Sequence, residues 1–374
     1  MKIPEGPYRL ADTDRLDTPA LVWYLPVIRE NIRKTLETAG GPERLWPHIK
    51  TYKSEDMIRL LLSFGIRRFK CATVAEAEMC LAAGAEAVIL AYPAVGPMQD
   101  RLIALQRAFP DRAVFAIGDD AATLRAQSSK AAAAGVTLQL LMDLNSGMTR
   151  TGVRPEDAEK LYTEISRYPG LRVAGFHVYD GHHHERDLAE RKARVAEEMR
   201  GVYALREKLA ERGLRQPLIV AGGTPTFPCH AADPENPWLS PGTCFLHDAG
   251  YASAFPDMPF QIGAMVLTRV ISHPASDLFT TDLGNKAVAA DPGVPRAVLC
   301  GYETCETVLQ NEEHWVLRVP SGSGLVRPEI GTVLYAAPMH VCPTTILYPS
   351  ALIAEEGRIT GSWRITARDR KLTI

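Results

Sequence analysis

The chain has 374 residues, 46% hydrophobic composition and a formal net charge of -2, which allows a large core in more than one domain. The absence of a basic run of about five residues argues against a nucleic acid partner. The apolar runs are strand-length and the N-terminal segment lacks a secretory signal, so we predict no membrane partner, reduced cysteines and a cytoplasmic location.

Short apolar runs alternate with longer amphipathic stretches over roughly the first 230 residues. Such alternation favours parallel strands joined by helices, and eight units suit a (β/α)8 TIM barrel, an α/β fold. We assign this barrel to residues 15–245. The predicted strands are ALVWY (20–24), RLWPHIK (44–50), RFKCAT (68–73), AVILAYP (87–93), AVFAIG (113–118), LQLLMDL (138–144), VAGFHVYDG (173–181) and PLIVAGGTPT (217–226).

The alternation stops near residue 260, where strand-like runs follow one another with turns between them. This pattern predicts an antiparallel β domain. We assign it to residues 246–374 together with 1–14. Residues 227–243 read as a long loop that leaves the barrel.

Barrel enzymes carry their chemistry at the carboxyl ends of the strands. Here those positions hold His48, Lys50, Thr73, Tyr92, Asp143, Asn145, Arg150, His177, Tyr179, Asp180 and the glycine-containing segment Gly222 to Thr226.

Lys50 and the segment that contains Gly222, Gly223 and Thr224 fit the two ends of one ligand. A lysine in a barrel mouth is partly desolvated, which lowers its pKa and suits imine formation. Backbone N–H groups of glycines after the last strand can approach a phosphate. Together they describe pyridoxal phosphate; the alternatives are a surface lysine and a plain turn. Lys53 is expected to face solvent or to pair with an acidic group.

Two candidate metal motifs contain histidine. His340 and Cys342 lie two positions apart in a predicted strand, so both side chains can reach one ion, although such a pair also arises by chance. Residues 182–184 are three consecutive histidines, which alternate in direction on an extended chain. We predict that His182 faces the pocket as a possible base and that His183 and His184 are mostly solvated.

Seven motifs occur in the order known for one enzyme group: D-T-P-A-L-V (17–22), P-H-I-K-T-Y-K-S (47–54), M-D-L-N-S-G-M-T-R-T-G (142–152), H-V-Y-D-G-H (177–182), G-G-T-P-T (222–226), P-G-T (241–243) and H-V-C-P-T (340–344). Together they resemble the metal-activated D-threonine aldolase and D-serine dehydratase group. These are fold-type III pyridoxal phosphate enzymes, related in fold to alanine racemase. The family block commonly reads R-P-H-x-K-T-H-K, and Trp46 and Tyr52 depart from it, which leaves the pocket wall open.

The resemblance implies a role for each matching residue. It implies an imine of the cofactor on Lys50, phosphate at Gly222, Gly223 and Thr224, Arg150 near the phenolic oxygen, and Tyr179 beside the pyridine ring. We also count His177 among the cofactor-binding residues, and His48 and His182 with Lys50 as catalytic residues. It further implies a homodimer and a divalent metal, zinc, manganese, cobalt or magnesium, at His340 and Cys342, which Asp282 could support.

The expected substrate is a D-amino acid. We favour cleavage of D-3-hydroxy amino acids to glycine and an aldehyde. Cys342 argues instead for a D-serine or 3-hydroxyaspartate dehydratase that forms a keto acid and ammonia. A racemase or a non-catalytic pyridoxal phosphate-binding protein is a further alternative, but neither explains the His340 and Cys342 pair.

Overall fold

The structure, a computed structural model, describes residues 7–11, 13–214 and 218–374. No helix in these ranges combines the length and the apolar character needed to cross a lipid bilayer. In chain order, the helices and strands are β1 Ala20–Tyr24, α1 Leu25–Ala39, α2 Glu55–Ser63, β2 Arg68–Cys71, α3 Val74–Ala82, β3 Ala87–Leu90, α4 Pro97–Ala108, β4 Ala113–Gly118, α5 Ala121–Ala133, β5 Leu138–Leu144, α6 Ala158–Ile165, β6 Leu171–Val178, α7 Leu188–Glu211, β7 Leu218–Ala221, α8 Phe227–Ala231, β8 Trp238–Leu239, α9 Ala249–Ala254, β9 Ala264–Ser272, β10 Leu278–Thr281, β11 Ala297–Leu299, β12 Glu306–Gln310, β13 Trp315–Arg318, β14 Val333–Pro338, α10 Val341–Ile346, β15 Ser350–Glu355 and β16 Arg358–Arg364.

The chain divides into two units, and the one we call the barrel unit consists of residues 36–50, 57–242 and 369–374. Its seven strands, β2 to β8, are parallel and adjacent in chain order. Two isolated bridges extend this sheet at both edges, because Leu45 pairs with Leu239 and His48 pairs with Lys70. All strands therefore point their carboxyl ends to the same rim, where the predicted site residues begin.

The TIM-like parallel sheet was predicted correctly, but two of the eight assigned strands differ. The 20–24 run is β1 of the other unit, because a short apolar run does not specify which sheet it joins. The 44–50 run contributes only bridges; Pro47 has no N–H to donate, although its carbonyl accepts the Lys70 N–H at 2.9 Å. β8 lies within the predicted loop 227–243, and residue 217 of the 217–226 run is outside the described residues.

The second unit, which we call the β unit, comprises the described residues up to 35 together with 51–56 and 243–368. Its nine-stranded sheet is mostly antiparallel, as predicted, but β1 and β15 pair in parallel. Tyr8 and Leu10 are buried in its core with Val22 and Leu267. The N-terminal segment thus packs on this unit as expected, with residues 1–6 and 12 outside the described part. Residues 15–35 also belong to it, so the assigned boundary near residue 15 was placed too early.

Candidate active site

A cavity of about 570 Å³ opens at the rim of the barrel unit. Six of the strand-end residues predicted from the sequence line it, whereas Asp143, Asn145, Asp180 and the segment Gly222 to Thr226 lie outside its lining. Its lining residues are His48, Lys50, Lys70, Ala72, Ala91, Tyr92, Pro93, Val95, Arg150, Thr151, His177 and Tyr179. Among the predicted strand-end residues, Thr73 has another task, since its side chain caps α3 by accepting the Glu76 N–H.

Lys50 lies on a short turn that holds its side chain at the cavity. The turn is fixed on one side by Ile49, which is fully buried, and on the other by His48, whose Nδ1 accepts the Lys50 backbone N–H at 3.3 Å. Lys50 itself is exposed, so its amine is open to a ligand. Lys53, three residues on, belongs to the β unit. The structure thus separates the two lysines that are close in sequence.

A second lysine in the cavity, Lys70, was not predicted. It lies on β2 and is 2% exposed, and its Nζ is 5.3 Å from the centre of the Tyr179 ring. Burial, together with the positive charge of Lys50, lowers the pKa of Lys70 to about 7. The sequence signal that could have identified Lys70 is its position in the short strand-like run RFKC, where both of its neighbours are apolar.

Tyr179 forms an aromatic wall between cationic side chains. The guanidinium of Arg150 lies 4.8 Å from the ring centre on an exposed loop. His177, which is 4% exposed, shares a 2.7 Å hydrogen bond between its Nδ1 and Oδ1 of Asp143. Burial lowers the pKa of His177, while the hydrogen bond to Asp143 opposes this shift. The cavity therefore presents an amine, two further cations, an aromatic face and an imidazole.

The glycine segment after β7 packs closely against Tyr179 and a buried polar cluster. A Cβ added to Gly223 would lie 3.1 Å from the Tyr179 ring, and one added to Gly222, where φ is +79°, would lie 2.6 Å from the His230 ring. Thr224 accepts the Gly242 N–H at 3.1 Å through its hydroxyl. Glycine is therefore required here for close packing and, at residue 222, for the left-handed backbone.

Asp180 holds this segment in place through two side-chain contacts. Its Oδ1 accepts the Thr226 hydroxyl at 2.7 Å, and its Oδ2 lies 2.7 Å from Nε2 of His230. All three side chains are buried. Although burial alone would raise the pKa of Asp180, these contacts lower it. The carboxylate therefore fixes the shape of the glycine segment.

His340 and Cys342 come together in the β unit, but not on a strand. His340 is the N-cap of α10, and Cys342 lies in its first turn. Nδ1 of His340 contacts Oδ2 of Asp291 at 2.5 Å. Burial alone would lower the pKa of His340, but hydrogen bonds to Cys342 and Asp291 outweigh it and raise the pKa to about 9.

The surroundings of the pair are polar and ordered. Sγ of Cys342 is 3.1 Å from the Thr51 hydroxyl and 3.5 Å from the Thr243 hydroxyl. Buried Asp248 accepts the Val341 N–H at 3.0 Å and so fixes the start of α10. The carboxylate at His340 is that of Asp291, which the sequence did not indicate; Asp282 instead accepts hydrogen bonds from Thr18 and Thr268.

The three histidines after β6 differ from the prediction in one respect. His184 is exposed as expected, but His183 is only 2% exposed. The rings of His182 and His183 are 4.4 Å apart, and both approach the carboxylate of Glu198. The backbone turns after residue 181, so the alternation expected for an extended chain does not apply. His182 does not occur among the described residues that line the cavity.

The two departures from the family block lie away from the cavity lining. Trp46 is in the barrel core, where its ring is 5.3 Å from Phe115 and 5.9 Å from Trp238. Tyr52 is fully buried in the β unit, 6.2 Å from the Phe245 ring. Trp46 and Tyr52 therefore contribute to the packing of their own units.

Comparison with known proteins gives related enzymes over nearly the whole chain. The D-threonine aldolase of an Arthrobacter species is 29% identical over 361 residues, which cover 95% of this chain and 93% of that protein. A solved D-threonine aldolase from Filomicrobium marinum has a TM-score of 0.87 and 29% identity, and the match covers 97% of this chain and 99% of that one.

A third relative catalyses a different reaction. The D-threo-3-hydroxyaspartate dehydratase of Delftia sp. strain HT23 is 26% identical over 367 residues, which cover 92% of this chain and 96% of that protein. A cysteine-to-alanine variant of it, solved in a metal-free form, has a TM-score of 0.83 and 24% identity, and the match covers 96% and 99% of the two chains.

Two family profiles divide the chain between them. The family described as "Putative serine dehydratase domain" matches residues 263–354. The family described as "Alanine racemase, N-terminal domain" matches residues 25–248, which is more than half of the chain. The chain therefore belongs to the alanine racemase N-terminal domain family, and its resemblance to the D-threonine aldolase and D-serine dehydratase group is confirmed.

Proposed function

We propose that this protein is a pyridoxal phosphate- and divalent metal-dependent lyase that cleaves D-3-hydroxy amino acids to glycine and an aldehyde. The main structural support is the cavity of the barrel unit. Its lining includes the accessible amine of Lys50 together with Lys70, Arg150, His177 and Tyr179. The relatives named D-threonine aldolase, each 29% identical over at least 95% of this chain, support this reaction.

The cavity residues fit the proposed cofactor. Lys50 provides a primary amine for an aldehyde, and Lys70 and Arg150 provide positive charge for a phenolate or a carboxylate. The Tyr179 ring offers a flat face for a pyridine ring. Pyridoxal phosphate, when bound, delocalises the electron pair left at the substrate Cα after a bond to it breaks.

We assign proton transfer to the polar groups of the cavity. Lys50, whose amine lines the cavity, would hold the cofactor and would serve as the base for a proton at the substrate Cα. Lys70, with a pKa of about 7, can hold or release a proton near neutral pH. His48 orders the backbone of Lys50, so it supports the nucleophile through the turn. The assignment of His182 as a base remains a prediction.

We assign the phosphate to Gly222, Gly223 and Thr224. This segment follows β7, and phosphate sites in barrels commonly follow the last two strands. The tight packing of Gly223 against Tyr179 joins this segment to the wall of the cavity. A larger side chain at residue 223 would displace the ring and lower the affinity for the cofactor.

We assign the metal to His340 and Cys342. Asp291 holds Nδ1 of His340, an arrangement typical of metal-binding histidines. An imidazole with a thiolate suits zinc better than manganese or magnesium, and cobalt is a common substitute for zinc. A divalent metal at this pair supplies Lewis acidity for an oxygen ligand.

The second candidate is a dehydratase that converts D-serine or D-3-hydroxyaspartate to a keto acid and ammonia. Cys342 favours it, because a cysteine at this position of the motif is common in the dehydratase members that the chain resembles. The two reactions differ in which bond to Cα is broken. Loss of the α-proton leads to elimination of water, whereas cleavage of Cα–Cβ releases glycine.

Product analysis separates the two candidates. The protein loaded with pyridoxal phosphate and zinc or manganese is incubated with D-threonine, D-serine and, as a control, L-threonine. Glycine with acetaldehyde from D-threonine is expected. Formation of 2-oxobutanoate or pyruvate with ammonia would select the dehydratase, and turnover that persists in EDTA would contradict the metal requirement. We also propose a homodimer, on the family resemblance alone, which sedimentation equilibrium checks.

A further inference from the structure

Three side chains outside the cavity converge at the rim of the barrel unit: His182 and His183, from the segment after β6, and Glu198, from α7. Nε2 of His182 is 3.0 Å from Oε1 of Glu198, and Nε2 of His183 is 3.2 Å from Oε2. The three ligand atoms lie within 4.8 Å of one another. Two imidazoles with one carboxylate are a donor set that binds zinc.

His183 cannot satisfy its surroundings as a neutral imidazole alone. Its Nε2 faces Glu198, and its Nδ1 faces Oε2 of Glu185 at 3.1 Å. A neutral imidazole carries one N–H, so one of these contacts would bring two lone pairs together. A second proton on the ring, a proton on one of the carboxyl groups or a metal ion at Nε2 removes this conflict. His183 is 2% exposed, so both contacts are made away from bulk water.

Glu185 is placed as the outer carboxylate that would orient His183 as a metal ligand. Glu185 is itself anchored, because its Oε1 lies 3.3 Å from Nε of Arg194. Metal-binding histidines commonly donate their other N–H to such a carboxylate. With zinc–ligand bonds of about 2.0–2.1 Å, neighbouring ligand atoms of a tetrahedral site lie roughly 3.3 Å apart. The observed distances, 3.0 Å from His182 to Oε1 and 3.2 Å from His183 to Oε2, are near this value but end on different oxygens, so the carboxylate would turn to bring one oxygen to the ion.

Gly147 packs closely against two of the three ligand atoms. A Cβ at this residue would lie 2.8 Å from Oε1 of Glu198 and 2.8 Å from Nε2 of His182. The space beside both ligand atoms is therefore kept free of side chain. His182 and Glu198 retain 29% and 24% side-chain exposure, so water can reach both side chains and could complete the coordination of an ion.

We propose that His182, His183 and Glu198 bind a divalent cation of the zinc class, with Glu185 orienting His183, and that the ion ties the segment after β6 to α7. This segment begins with Tyr179 and Asp180, so the ion stabilises the backbone that carries them. A metal at Nε2 of His182 takes the lone pair that a base needs. The proposal thus gives His182 a different role from the one predicted from the sequence.

Zinc titration of the full chain tests this site apart from the pair in the β unit. The background is His340→Ala with Cys342→Ala, stripped of metal, and calorimetry measures the zinc bound per chain. One zinc per chain is expected in the background and in the two matched controls, Glu197→Gln on the same helix and His184→Ala in the same histidine run. Adding Glu198→Gln is expected to weaken binding at least about 100-fold.

Two outcomes would overturn the proposal. One is a background protein that binds no zinc at micromolar concentrations, which leaves an added proton, on His183 or on one of the carboxyl groups, as the explanation. The other is unchanged binding after Glu198→Gln. If Glu198→Gln does not fold, as judged by circular dichroism, His182→Asn replaces it with the same expected loss. The readout is metal bound, so failure of the lyase assignment leaves this test intact.

Discussion

The barrel unit and the β unit position their candidate site residues in different ways. In the barrel unit, His177 at the end of a parallel strand and His48, Arg150 and Tyr179 on segments beside the strand ends meet at one rim. In the β unit, His340 and Cys342 meet because β14 gives way to α10 at that point. A regular sheet thus makes a site predictable from element order, whereas a junction site depends on local capping.

The largest expected effect concerns the barrel unit. Lys50→Ala should lower kcat by about a thousandfold or more, because no other amine on the same turn can replace the nucleophile. The near-visible absorption of cofactor bonded to lysine should disappear with it. Steady-state kinetics and an absorption spectrum measure both.

The matched control is Lys53→Ala. This residue is three positions away but belongs to the β unit, so kcat should change by less than about fivefold. If kcat fell equally in the two variants, the position of Lys50 at the cavity would not distinguish it from Lys53 in the reaction.

The β unit should respond through its metal. His340→Ala and Cys342→Ala should each reduce activity about 100-fold or more, with loss of bound metal. Cys305→Ala is the control, since this cysteine lies elsewhere in the same unit. Metal content by atomic absorption, followed beside activity, checks the prediction; full activity in a metal-free variant speaks against it.

A smaller effect tests whether the carboxylate of Asp291 positions His340 of the metal pair. Asp291→Asn retains the size of the side chain but removes the charge that faces Nδ1 of His340. Metal affinity should fall about tenfold to 100-fold. Competition with a chelator measures the affinity, and restored activity at high metal concentration distinguishes weakened binding from misfolding.

The smallest effect concerns the stability of the cofactor-free barrel unit. Because the pKa of Lys70 falls from 10.5 to about 7 on folding, the unfolded chain binds more protons between these pH values. The free energy of unfolding therefore gains from Lys70 as pH rises from 7 toward 10.5 and loses that contribution as pH falls to 7.

Lys70→Met should remove this pH dependence. The variant should be more stable than the unaltered protein by roughly 1–3 kcal/mol at pH 6, and the gap should close by pH 10.5. Urea unfolding across this range measures it, with exposed Lys371→Met as the control. A gap that is the same at every pH would mean that Lys70 stays charged in the fold.

Most of the barrel site could be read from the sequence because its residues follow apolar strands. Lys70 escaped because it lies within a strand, where burial by the surrounding sheet, rather than the local pattern, decides its environment. His183 escaped because the chain turns after residue 181. The place of 20–24 in the β unit depends on its pairing with β9 and β15, which lie more than 240 residues further along the chain.

The central claim is that Lys50, rather than Lys70, is the lysine bonded to the cofactor. Reduction of the loaded enzyme with borohydride fixes the cofactor to its lysine, and mass spectrometry of proteolytic peptides then identifies the residue. A single pyridoxyl group on Lys50 is expected. A pyridoxyl group on buried Lys70, or on Lys53, would contradict it.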